Sequence, residues 1–167
     1  ISPPDMPSQT LKTDILVIGA GPAGATTALT LSKLGVPHLV VDAAVFPRDK
    51  ICGDCLDLKV LRVLRHLDSD IVANELDANN HFTPSFGTRF FTQKGKKADF
   101  VSQNKGGTTL PFPLFHTAKR LHFDNFLVQK FDRRHTDFRQ GTKITKILRD
   151  GKIWRVRAQV MTTDREI

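Results

Sequence analysis

Cysteine is scarce in this 167-residue chain, where Cys52 and Cys55 are the only two, too few for the disulfide framework of a small secreted domain. Long apolar runs are missing as well. None approaches the ~18 residues that a membrane-spanning helix needs, and the N-terminus lacks the basic-then-apolar layout of a secretory signal. A cytoplasmic setting is therefore expected. There are no internal repeats or low-complexity segments, and no second ligand pair that would complete a zinc site with the two cysteines. Lysine and arginine (25) outnumber aspartate and glutamate (17), for a net charge of +8. The basic residues are nonetheless scattered, with only Lys94, Lys96 and Lys97 in a short cluster and no interleaved aromatics, so a nucleic-acid-binding module is the lesser reading of that charge.

What is present is concentrated between Asp14 and Cys55. The run Ile15-Leu16-Val17-Ile18-Gly19-Ala20-Gly21-Pro22-Ala23-Gly24 reads as a strand, a tight turn and the first turn of a helix. Gly19 permits the turn, Gly21 lets a pyrophosphate approach the backbone, and Gly24 lets helix and strand pack closely. Pro22 is tolerated in a first helical turn, and Ala25, Ala28, Leu29, Leu31 and Leu34 supply a packing side before Gly35 stops the helix. The next apolar run, Pro37 to Val41, ends at Asp42, where a carboxylate is expected to accept hydrogen bonds from a ribose. A helix mouth of this kind turns free N–H groups and a positive dipole end toward phosphates.

The segment after Asp42 narrows the reading. Together with the glycine turn, Phe46-Pro47-Arg48-Asp49-Lys50 and Cys52-Gly53 resemble the start of the geranylgeranyl reductase group of flavoproteins, within the para-hydroxybenzoate hydroxylase-like superfamily that also holds aromatic monooxygenases and flavin-dependent halogenases. The resemblance implies FAD as cofactor, with Gly19, Gly21, Pro22, Ala23 and Gly24 at its pyrophosphate and Asp42, followed by Ala43, at its ribose. Arg48 would lie near the ribose or phosphates. Cys52 and Gly53 would lie near the flavin ring, with Cys52 as the candidate catalytic residue, and Asp54 stands where the family carries a second glycine. The Cys-x-x-Cys spacing also leaves open a redox dithiol at the start of a helix, or inert packing.

Farther along, Leu56 to Leu67 has the period of an amphipathic helix, with Leu56, Val60, Val63, Leu64 and Leu67 on one face. Thr88 to Thr92 and Ala98 to Val101 read as strands around a turn at Gly95. Phe82, Phe86, Phe90, Phe91, Phe100, Phe112 and Phe115 are expected mainly as sheet core, with an apolar substrate cavity as the alternative. Prolines 111 and 113 exclude a central strand there. A helix begins near Lys119, and Arg120 matches the family arginine that contacts the cofactor. Gly141 to Ala158 reads as a β-hairpin around Asp150-Gly151, and the resemblance places backbone near Ile144 beside the adenine.

The expected architecture is α/β: a Rossmann-like FAD-binding domain with a parallel sheet, plus the start of a β-rich substrate domain. Its divisions are a flexible lead over 1–12, a βαβ core over 13–80, a partial substrate-facing β region over 81–115, and a return to the FAD-binding domain over 116–167. The family's later glycine-aspartate segment has no counterpart here, so an N-terminal portion with weak cofactor binding and no turnover of its own is expected. For the parent protein, the resemblance implies reduction of isoprenoid-type C=C bonds on a small hydrophobic substrate. NAD(P)H is the candidate electron donor, and a membrane surface is a candidate contact through a lipid substrate. An aromatic monooxygenase or halogenase is the alternative.

Overall fold

The computed structural model describes residues 10–52, 54–101, 107–108 and 113–161. In chain order, β1 (Leu16–Ile18), α1 (Pro22–Lys33) and β2 (His38–Val41) are followed by β3 (Cys55–Asp57) and α2 (Leu58–Leu67). A π-helical turn (Ile71–Glu75) then runs into the short α3 (Leu76–Ala78). Next come β4 (Thr83–Ser85), β5 (Gly87–Phe91), β6 (Lys97–Val101), β7 (Phe115–Thr117), α4 (Arg120–Gln129), β8 (Thr136–Arg139), β9 (Thr142–Asp150) and β10 (Ile153–Val160).

The parallel sheet has the order β1-β2-β8, with Leu16 opposite Leu39 and His38 opposite Thr136. Flanked on both sides, β2 buries His38, Val40 and Val41, as strands paired at both edges do. At the margin, β1 leaves Ile18 51% exposed. Helix α1 joins two cores through small side chains. Ala25 packs with Leu56, Leu61, Leu64, Phe123 and Leu127, while Ala28 packs with Ala20, Val40, Phe46 and Val128. A second, antiparallel sheet of order β3-β7-β4 sets Leu56 and Pro84 on either side of His116. Among the described residues no helix is long and apolar enough to cross a membrane.

Four local readings are corrected. The second helix begins at Leu58, two residues later than its apolar period suggests, because Asp57 caps it by accepting from the N–H groups of Lys59 and Val60 at 3.0 Å each. Its buried residues are Leu61 and Leu64, whereas Val63 is 48% exposed. Leu34 is not on the packing side of α1, since it caps the helix and is 70% exposed. Of the phenylalanines, Phe82 is core, but Phe86, Phe90, Phe91 and Phe100 are exposed. They lie on or beside the two-stranded β5–β6 ribbon, where Phe90 and Phe100 meet edge to face at 5.4 Å; Phe112 lies outside the described residues. Finally, Asp150 pairs with Ile153, so the hairpin loop is Gly151-Lys152. Gly151, at φ +60°, fills the first central position that such two-residue loops reserve for glycine.

Candidate functional site

The site is assembled around the turn between β1 and α1. Gly19 adopts φ +91°, a left-handed conformation that favours glycine, and its N–H donates to the Val41 carbonyl at 2.7 Å. A Cβ on Gly24 would sit 1.7 Å from the Gly19 carbonyl oxygen, so only hydrogen fits where helix meets turn. Ala25 N–H donates to the Gly21 carbonyl at 2.8 Å, closing the first helical turn. The N–H groups of Ala23 and Gly24 therefore project from the helix mouth. Asp42 fastens the turn to the end of β2, one oxygen accepting from Ala20 N–H at 2.7 Å and the other from Ala44 N–H at 2.8 Å. Each oxygen retains a lone pair for another donor. Ala43 is exposed beside it.

Over this mouth stand two arginines. Arg120, the first residue of α4, gives Nε and Nη2 to Asp124 at 2.6 and 2.7 Å, and Arg48 reaches the same carboxylate with Nη1 at 3.0 Å. Asp124 is fully buried, whereas the two arginine side chains keep 14% and 18% of their surface exposed. The Arg48 guanidinium also lies 5.0 Å above the Phe46 ring, a cation–π shelf. A Cβ built on Gly21 would be 3.5 Å from Nη2 of both arginines, so any side chain there would fill the space between the cations and the helix. Hydrogen bonding to Asp124 raises the pKa of Arg120 above its ordinary value, burial opposes the rise, and a hydrogen bond with Cys52 adds to it.

A cavity of about 360 Å³ opens beside the mouth, with Pro22, Ala23, Cys52, Asp54, Cys55, Val60, Arg120 and Phe123 in its wall. Cys52 and Cys55 are both exposed. Cys55 belongs to strand β3 and α2 starts only after the Asp57 cap. The placement of this pair at a helix N-terminus, which the redox-dithiol reading requires, is thus corrected. Asp54 has φ +53°, the conformation a glycine supplies most easily. Gly53 lies outside the described residues. Ile144 stands apart from the arginines on β9, two residues beyond Thr142, whose N–H donates to the Asp42 carbonyl at 2.8 Å. A larger hollow of about 1000 Å³ among Leu11, His38, Phe46, Phe131 and neighbouring residues holds none of the candidate residues.

The turn, Asp42, Arg48, Cys52 and Arg120 are thus brought into one region, with Ile144 at its margin. Sequence reasoning missed the role of Asp124. Its local signals are the Arg120-x-x-x-Asp124 spacing, which on a helix usually reads as a surface ion pair, and the resembled family's pattern of an arginine, a two-residue gap and an aromatic-acid pair, which Phe123-Asp124 fits.

Comparison with known proteins gives a consistent result. The pattern of a family described as "FAD binding domain" matches residues 12–166. A menaquinone reductase of Mycolicibacterium smegmatis is 46% identical over 56 residues, 34% of this chain and 14% of that protein. An uncharacterized protein of Methanosarcina barkeri is 31% identical over 136 residues, 81% of this chain and 31% of its own. The chain thus spans less than a third of either relative's length. Among solved structures, a flavoprotein/dehydrogenase from Cytophaga hutchinsonii superposes with a TM-score of 0.67 at 25% identity, covering 87% of this chain and 36% of that one.

Proposed function

We infer the function from one premise: the chain belongs to the FAD binding domain family, whose pattern covers residues 12–166. It is accordingly a member of a family of FAD-dependent oxidoreductases. FAD supplies the redox chemistry when bound, while protein residues bind it, orient it and exclude water. One observation carries the assignment of the site. The N-terminal end of α1 and the guanidiniums of Arg48 and Arg120 converge on bare Gly21, and all three are groups that hold phosphate. Gly19, Gly21, Pro22, Ala23 and Gly24 would receive the pyrophosphate, with Arg48 and Arg120 above them. Asp42 and Ala43 would meet the adenosine sugar, and the backbone near Ile144 the adenine. Cys52 and Gly53 would lie near the flavin ring, with Cys52 as the candidate catalytic residue.

As the reaction we propose reduction of isoprenoid-type C=C bonds, a net gain of two electrons and two protons per bond, with NAD(P)H as the electron donor. The substrate is a small hydrophobic molecule, drawn from a membrane surface when it is a lipid. The apolar wall contributed by Leu56, Val60, Val63, Leu64 and Phe123 suits such a substrate. The name of the mycobacterial relative supports it too, since menaquinone carries an isoprenoid tail.

The test is to load the full-length protein with FAD, add NADPH and either menaquinone or a geranylgeranyl lipid, and weigh the product. The expected product gains two hydrogens per double bond. Gain of oxygen or halogen would instead assign the monooxygenase or halogenase alternative, and a protein that retains no flavin would overturn the site assignment itself.

A further inference from the structure

Asp124 is the one buried carboxylate among the described residues, and it is shared by two cations. Arg120 alone already satisfies it through a bidentate fork at 2.6 and 2.7 Å. A second guanidinium, that of Arg48, is nonetheless held on it at 3.0 Å. The cluster of two arginines and one aspartate therefore carries one positive charge in excess. That excess lies beside the positive end of α1, with the arginines largely withdrawn from solvent. Cys52 also interacts with Arg120, but withdrawn positive charge is costly unless it is well paired, and an anion above the helix mouth would complete the pairing. The direction it faces is fixed as well, because Nη2 of both arginines stands 3.5 Å from the position a Cβ would take on Gly21. The edge of each guanidinium not used on Asp124 retains donors for a ligand.

We propose that Asp124 is a positioning residue: by dividing its carboxylate between Arg48 and Arg120 it aims both guanidiniums at the pyrophosphate of the dinucleotide. This rests on the FAD reading above. Asp124 itself touches no ligand and acts through the two arginines. The buried carboxylate also prevents the guanidiniums from repelling one another out of register, which a neutral residue of the same shape could not do.

The sign of the effect separates aiming from simple charge balance. Removing the carboxylate makes the site more positive, which by electrostatics alone would tighten an anionic ligand. Loss of aim weakens it. The experiment compares the full-length wild-type protein with Asp124→Asn, titrating FAD by its fluorescence and ADP by calorimetry, with circular dichroism and the thermal midpoint of the ligand-free protein recorded alongside. ADP carries the pyrophosphate without the flavin. Asp124→Asn is expected to weaken both ligands by a similar factor, about 10- to 100-fold, the range for losing a charged hydrogen bond. If that variant does not fold, Arg48→Gln/Asp124→Asn, which removes one of the stranded cations, is compared with Arg48→Gln. A further loss shared by FAD and ADP is expected there too.

Unchanged or tighter binding of ADP in the folded variant would overturn the role of Asp124 while leaving the FAD assignment standing. So would a loss confined to FAD. A full-length wild-type protein that binds neither ligand would overturn both.

Discussion

At Gly24 an added Cβ would lie 1.7 Å from the Gly19 carbonyl oxygen, whereas at Gly21 it would meet only the ends of two flexible arginines, at 3.5 Å each. The two glycines therefore answer to different constraints, one to the packing of helix on turn and the other to the space above the helix mouth. Gly24→Ala is expected to destabilise the protein by about 3 kcal/mol or more, since backbone must move to admit the methyl group. Thermal melting of the ligand-free protein checks this. Gly21→Val is expected to leave the ligand-free fold nearly intact and to abolish FAD retention in the full-length protein, read as loss of yellow colour after gel filtration. Unchanged flavin content would reject the assigned turn. The geometry of this turn was legible in the sequence because glycine spacing encodes backbone constraints directly. Asp124 was not. The Phe123-Asp124 pair fits the aromatic-acid step of the resembled family's segment, but nothing local reveals that the carboxylate is buried or that Arg48 arrives on it from a distant loop.

Helix α2 illustrates what periodicity can and cannot fix at the level of an element. Its amphipathic character was readable, but its start was set by Asp57, whose side chain captures two N–H groups. Leu56 was thereby left in β3, opposite His116. Asp57→Ala is expected to cost about 1 kcal/mol, the usual worth of an N-cap, and to increase hydrogen exchange at the amides of Lys59 and Val60. Unaltered exchange at those two amides would show that the cap contributes nothing. The far end of α2 is held from outside, by Lys33 Nζ donating to the His66 and Leu67 carbonyls at 2.7 and 3.2 Å. The phenylalanines of β5 and β6 misled because apolar content alone does not say whether a second layer covers a ribbon. Here Phe90, Phe91 and Phe100 are more than half exposed.

Across the whole molecule, the first two parallel strands, the helix between them and the hairpin at 142–160 were legible, since each carries its own periodic or turn signal, whereas the third parallel strand, β8, was not read. The small sheet β3-β7-β4 was not. It joins strands drawn from three distant parts of the chain, and strands of three residues leave little alternation to read. The net charge of +8 gives any such protein some salt-sensitive affinity for polyanions. The expected behaviour is that added DNA dissociates as salt rises while FAD stays bound. A colourless full-length protein with salt-sensitive DNA binding would favour the nucleic-acid module.

Asp54 offers a last consequence. Its φ of +53° is a conformation that glycine adopts most easily, so an aspartate standing where the resemblance leads one to expect glycine would change the side chain rather than the course of the backbone. A carboxylate has been added to the wall that also holds Cys52, Cys55 and Arg120. Molecules entering this chamber would encounter an acidic group, and exchanging that one side chain for a hydrogen would change which of them the chamber admits.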